Sequence, residues 1–159
     1  RCGMAKMRFN HMELTLPLGT LTDEYRAEVR EFYGDVFGWT ATDTQILKQT
    51  ALLLSTDPAT SQFVLLAEHK EPMAPPPFDH LGLLFDTREE VDTCLAKCET
   101  WQKKDPRVEI KRYNDLVMPT VTVHAFYVRH LLPIHLDVQC MERPEGVAAP
   151  SGRWVWVED

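Results

Sequence analysis

Two stretches of this chain agree with each other in fixed register. Phe9-Asn10-His11-Met12 reads like Phe78-Asp79-His80-Leu81, and each histidine is followed at one and the same interval by an acid, Glu68 after His11 and Asp137 after His80. The shift that carries His11 onto His80 also places Tyr25 on Cys94, Val29 on Cys98 and Phe32 on Trp101, so the apolar stripes of two helical segments coincide. Self-similarity at a fixed period marks a duplicated structural unit. With 159 residues, 44% of them apolar, the chain can bury a core as one compact domain or as two small units sharing one, and a second large domain does not fit.

Each copy can be read for its elements. Residues 9–16 alternate, with Met12, Leu14 and Leu16 on one face and His11, Glu13 and Thr15 on the other, which predicts a strand. Pro17 and Gly19 close it, and Thr22 followed by Asp23 and Glu24 opens a helix with acids at the positive end of its dipole. Tyr25, Val29, Phe32, Tyr33 and Val36 recur at helical spacing up to Gly38, so the helix is expected over 23–37. Apolar runs near 39–43, 50–55 and 62–68 predict three strands, with a turn at Asp57-Pro58. This first module, 8–70, therefore reads β-α-β-β-β.

The prolines at 72 and 75–77 favour extended polyproline II and make 71–77 a linker. The second module, 78–141, repeats the order. Its first strand puts His80 and Gly82 on one face and Leu81, Leu83 and Phe85 on the other. Thr87-Arg88-Glu89-Glu90 is a capping-box pattern opening a helix that carries Val91, Cys94, Leu95, Cys98 and Trp101. Strands follow near 107–112, 120–128 and 134–140. The tail, 142–159, is rich in Pro, Gly and Ala but ends in Trp154-Val155-Trp156-Val157, which can tuck against the body or a partner chain.

Charge and composition narrow the partners. The formal charge is -7, with acids and bases mixed and no run of Lys or Arg, which argues against an electrostatic grip on nucleic acid or anionic lipid and points to a small-molecule ligand. No apolar stretch approaches the roughly 20 residues of a membrane helix, and the opening residues lack a signal-peptide apolar region. A soluble, cytoplasmic protein is expected. The four cysteines form no C-x-x-C pair, which argues against a zinc ribbon or a thioredoxin-type motif and suits a reducing compartment.

Two β-α-β-β-β units, a histidine on each opening strand, an acid on each closing strand and the run Phe32-Tyr33-Gly34-Asp35-Val36-Phe37-Gly38-Trp39 together resemble the vicinal oxygen chelate superfamily. That group includes glyoxalase I, fosfomycin-resistance thiol transferases, extradiol dioxygenases and bleomycin-resistance binding proteins. The resemblance covers residues 9–140. It implies an α+β fold in which two tandem βαβββ modules form a curved mixed sheet around a cavity, and a homodimer. It also implies a divalent metal (Zn, Ni, Fe, Co or Mn) held by His11, Glu68, His80 and Asp137 as in glyoxalase I, or by His11, His80 and Asp137 as in members with three ligands. Whether the ligands meet within one chain or across two is left open. Two positions depart from the pattern: Asp137 stands where Glu is usual, and Arg129-His130-Leu131-Leu132-Pro133 replaces an Asp-Pro-x-Gly type turn.

Two imidazoles and two carboxylates make a mixed nitrogen and oxygen site with room for two substrate oxygens. Glu68 or Asp137 could then move a proton as the catalytic base. His135, two residues before Asp137, shares its face and becomes a substitute ligand or substrate contact, while Tyr127 and Trp39 are candidate walls of a substrate pocket. Cys94 and Cys98 read as core, and His124 and His130 as surface. Three functions remain: a glyoxalase-like lyase or isomerase acting on a small oxygenated or carbonyl substrate, an extradiol-type dioxygenase using His11, His80 and Asp137, and a non-catalytic binding protein lining the same cavity without metal.

Overall fold

Both helices begin and end where their caps dictate in the computed structural model, which describes residues 9–57 and 61–147. The aromatic ending at Trp154 to Val157 lies outside the described residues. Helix α1 (Asp23–Phe37) starts at Thr22, whose hydroxyl accepts from the Tyr25 amide at 3.2 Å. It stops at Gly38, held at φ +70°, where the Gly38 and Trp39 amides bond back to the Gly34 and Tyr33 carbonyls. Helix α2 (Arg88–Lys104) opens with the expected capping box: Thr87 Oγ1 accepts from the Glu90 amide, and the Glu90 carboxylate accepts from the Thr87 amide.

The strands fall into two sheets, one per unit. In the first, β1 (His11–Leu16), β2 (Thr40–Ile46), β3 (Gln49–Ser55) and β4 (Phe63–Glu68) lie in the order β1-β4-β3-β2. In the second, β5 (His80–Leu84), β6 (Glu109–Arg112), β8 (Val121–Arg129) and β9 (His135–Glu142) lie in the order β5-β9-β8-β6. The opening strand of each unit pairs in parallel with the closing strand, and the other pairs are antiparallel. The second unit carries one strand more than its pattern predicts: β7 (Leu116–Met118) forms a hairpin with the first half of β8, and β6 takes the second half. Segment 71–77 forms no strand or helix, and the Met73 amide is tied to Thr15 of β1.

Each sheet packs one face toward the helices; on its other face the first sheet buries a small cluster of Ala51, Leu65 and Ala67, whereas the second leaves that face open. Leu14, Leu16, Val64 and Leu66 from the first sheet and Leu136, Val138, Phe126 and Val128 from the second join both helices in one core that includes Cys94, Cys98 and Cys140. Phe32 stands at the junction. Its ring lies 5.5 Å from that of Trp101, its counterpart in the repeat, and 4.6 Å from the His130 ring. From the next position, Tyr33 donates its hydroxyl to the His130 carbonyl at 2.6 Å, and Tyr25 donates to the Leu131 carbonyl at 2.5 Å. Two tyrosines of the first unit thus hold the 130–133 turn of the second.

His130, expected on the surface, is therefore buried, 2% exposed. Its Nδ1 has no partner, and its Nε2 lies 3.7 Å from Asp105, with Arg107 and Glu28 beyond. Burial pushes its pKa below the ordinary histidine value, against the pull of Asp105. The folded state thus holds His130 neutral while the unfolded chain takes up a proton near pH 6.5, so stability should fall as pH drops through that region. Urea midpoints at pH 7.5 and 5.5 should differ less in His130→Gln than in the parent protein. An equal difference would place the titrating group elsewhere.

Candidate functional site

The open face of the second sheet brings together His80, His135, Asp137 and Tyr127 of the predicted site, and the strand register shows why. Parallel pairing sets His80 opposite His135 and Gly82 opposite Asp137, while antiparallel pairing sets Tyr127 opposite Asp137 and Lys111 opposite Tyr127. Side chains alternate along strands, so His80, His135, Asp137, Tyr127 and Lys111 all emerge on the face away from α2. Asp137 is 7% exposed, and its Oδ1 has no hydrogen-bond partner. His80 Nε2 lies 3.7 Å from Asp137 Oδ2. His135, also buried, leaves its Nε2 without a hydrogen bond, 3.8 Å from Glu109. The Tyr127 ring packs 4.9 Å from His80 and 5.0 Å from Tyr113.

Electrostatics follow from this burial. Taking the Asp137 carboxylate out of water raises its pKa, and nearby His80 only partly opposes this. Burial likewise lowers the His135 pKa, helped by Lys111 and Arg129, and keeps that imidazole neutral at physiological pH. The Tyr127 hydroxyl is pushed up, first by burial and then by Asp137.

Both histidines of the repeat have their rings fixed by a local acceptor. His80 Nδ1 lies 2.8 Å from the Phe78 carbonyl, which can only accept, so Nδ1 carries the hydrogen and a neutral ring keeps its lone pair on Nε2, facing Asp137. His11 Nδ1 lies 2.7 Å from Asn10 Oδ1, and Asn10 Nδ2 donates to the Ser61 carbonyl, which settles the amide orientation. His11 also stacks on Phe63, with ring centroids 4.7 Å apart. A backbone or amide acceptor on one ring nitrogen is the arrangement that prepares the other for a metal. Donors on one ion at ordinary bond lengths of about 2.0–2.2 Å stand roughly 3–3.5 Å apart. The 3.7 Å between His80 Nε2 and Asp137 Oδ2 exceeds that spacing by a few tenths of an ångström, and the other carboxylate oxygen, Oδ1, is buried without a hydrogen-bond partner.

The remaining predicted residues go elsewhere. Glu68 does not join the set. His11 pairs with Phe63, whereas Glu68 pairs with Leu16, at the far end of β1 and about 16 Å along the strand. That odd offset turns Glu68 toward the helix side, where it accepts from the Leu21 amide at 2.6 Å ahead of α1. In register, Leu65 is the counterpart of Asp137. Trp39 is also displaced from its expected role: it is buried and stacks on Tyr33 at 5.5 Å inside the core, so it walls no open-face pocket. Among the described residues of one chain, no three His, Cys, Asp or Glu side chains converge on a metal position. His11 belongs to the first sheet, and His80 and Asp137 to the second.

Lys111 and the Glu109–Arg129 pair are not among the residues that the sequence singles out. Glu109, Lys111 and Arg129 alternate with apolar residues, so parity can place each of them on the open face. Which strand lies beside which is not a local property. Arg129 Nη2 binds both Glu109 oxygens, at 2.8 and 2.9 Å.

Comparison with solved structures places this geometry in a known fold. A fosfomycin resistance protein, FosX, from Listeria monocytogenes, complexed with Mn(II) and sulfate, shares 12% identity, with 86% of this chain and 91% of that one covered at a TM-score of 0.59. A glyoxylase/bleomycin resistance protein/dioxygenase domain from Frankia sp. EAN1pec gives 13% identity, 89% and 96% coverage and 0.55. TnmS3, an antibiotic binding protein from Streptomyces sp. CB03234, gives 15%, 87% and 99%, and 0.54. No protein-family model matches the sequence, and no curated protein matches it. The chain has the fold of the vicinal oxygen chelate superfamily. No helix among the described residues is long and apolar enough to cross a membrane.

Proposed function

We propose that the chain is a small divalent-metal-dependent enzyme of glyoxalase-like lyase or isomerase type, acting on a small oxygenated or carbonyl substrate. One observation carries this reading: the His80 Nε2 lone pair faces the buried Asp137 carboxylate, whose Oδ1 has no other partner. His80 and Asp137 would hold the ion, with His11 supplied by a second copy of the chain in a homodimer. When bound, the metal would act as a Lewis acid toward two neighbouring substrate oxygens. Tyr127 and His135 orient the substrate, and burial of His135 and Asp137 keeps water from competing for them. Among the structural neighbours, the Listeria protein carries Mn(II), which supports metal use on this fold. Cys94, Cys98 and Cys140 are free thiols, which suits the cytoplasm.

The second reading is a metal-free binding protein. It is favoured by the failure of three donors to converge among the described residues of one chain, and one neighbour is an antibiotic binding protein. Metal analysis after loading with Mn(II) or Zn(II) and exhaustive dialysis separates the two. The enzyme reading expects about one ion per chain, a dimer by light scattering, and loss of the ion in both His80→Ala and His11→Ala. Absence of stoichiometric metal, together with ligand-induced thermal stabilisation that chelator leaves unchanged, would select the binding protein.

A further inference from the structure

We infer that Lys111 is the anion-recognising residue of this site, so that the ligand is a small organic anion whose carboxylate or phosphonate group meets Lys111 while its remaining body lies over Tyr127 and Asp137. The inference rests on the site proposed above and adds the substrate class.

Three observations carry it. First, register lines up Lys111, Tyr127, Asp137 and Gly82 across four neighbouring strands, all on the open face. With neighbouring strands about 4.8 Å apart, Lys111 stands two strands, or roughly 10 Å, from Asp137. That span suits a ligand a few bonds long that touches both. Second, the other cations of this face are taken. Arg129, one row below, is held by both oxygens of Glu109 and is poorly placed to accept another anion. Among the described residues Lys111 has no hydrogen bond or ion pair, although it is partly buried. Third, Gly82 leaves the far end of the row without a side chain. A Cβ built there would be in ordinary contact with Gln139 Nε2 at 3.6 Å, so this end of the row is bordered by the polar Gln139 amide and by no side chain of β5.

Beyond this row the face turns apolar, with Leu84, Leu116 and Met141 exposed. An anionic head with an apolar body matches that order of surfaces. The acids nearby do not repel such a head decisively: Glu109 is neutralised by Arg129, and Asp137 is the group a cation would neutralise.

The test uses the full chain and two probes, phenylphosphonate and neutral benzamide, measured by calorimetry with Mn(II) and again in excess chelator. Phenylphosphonate should bind at least about tenfold more tightly than benzamide, the scale of one charge-assisted hydrogen bond. Lys111→Met should remove that advantage, Lys111→Arg should retain most of it, and Lys103→Met, which alters net charge at the end of α2, should leave it unchanged. Equal binding of the two probes, no change in Lys111→Met, or the same loss in Lys103→Met would overturn the inference. Failure of the metal reading appears separately, as phenylphosphonate binding that does not respond to Mn(II), and leaves the comparison of lysine variants intact.

Discussion

Phe32→Ala should lower the free energy of unfolding by about 3–5 kcal/mol, the range for deleting a fully buried aromatic ring. The ring has no exposed surface and touches Tyr33, Phe37, Trp101 and His130, so it contacts both units at once. Its removal leaves a cavity where the helices meet, and relaxation is restricted because Tyr33 and Tyr25 are hydrogen-bonded to the 130–133 turn. Urea denaturation monitored by fluorescence measures the loss, and Phe32→Leu, which keeps most of the volume, should cost clearly less. A loss below about 1.5 kcal/mol would mean that the two units do not depend on this junction.

The same residue shows how far local pattern reaches. Phe32 and Trp101 are matched by the repeat in the sequence, and they prove to be physical neighbours as well as equivalents. Helix limits are legible because caps are local: Thr22, Gly38 and the Thr87–Glu90 box act within a few residues of themselves. Strand β7 is not. Leu116, Val117 and Met118 all lie outside the core and offer no burial signal, and only the long β8 beside them makes them a strand.

At the site, parity succeeds and spacing misleads. Alternation along β5 and β9 puts His80, His135 and Asp137 on one face, as observed, since a strand's period is a backbone property. The matching interval from histidine to acid implies that Glu68 mirrors Asp137. It does not, because parallel partners are set by how the intervening chain closes. His11 meets Phe63, which the repeat aligns with Leu132, whereas His80 meets His135, three positions beyond; an odd shift reverses the face. The longer helix and the extra strand of the second unit take up the difference. Lys111 is silent in the sequence for a related reason: its value lies in Tyr127 and Asp137, residues far away along the chain.

Asp137→Leu should stabilise the metal-free protein by about 1–3 kcal/mol while abolishing tight metal binding. The carboxylate is nearly excluded from solvent, one oxygen lacks any partner, and the other is 3.7 Å from a histidine nitrogen that presents a lone pair. Burial and the missing partner raise the cost of the charged form, and His80 offsets that cost only in part without a bound cation. Leucine branches at the same carbon and has no polar group to desolvate, so it relieves the cost at the same place. The sign of the pH dependence follows from the raised pKa. Through the interval between the ordinary carboxyl value near 3.9 and the raised one, the folded state binds more proton than the unfolded state. Asp137 therefore weakens the parent protein as pH rises through that interval, and the advantage of Asp137→Leu should be largest at neutral pH and shrink toward pH 4. Denaturation of both proteins in chelator at pH 7 and pH 4.5 measures it. A variant less stable than the parent at pH 7 would show that the carboxylate supports the fold and is not held in reserve for a ligand.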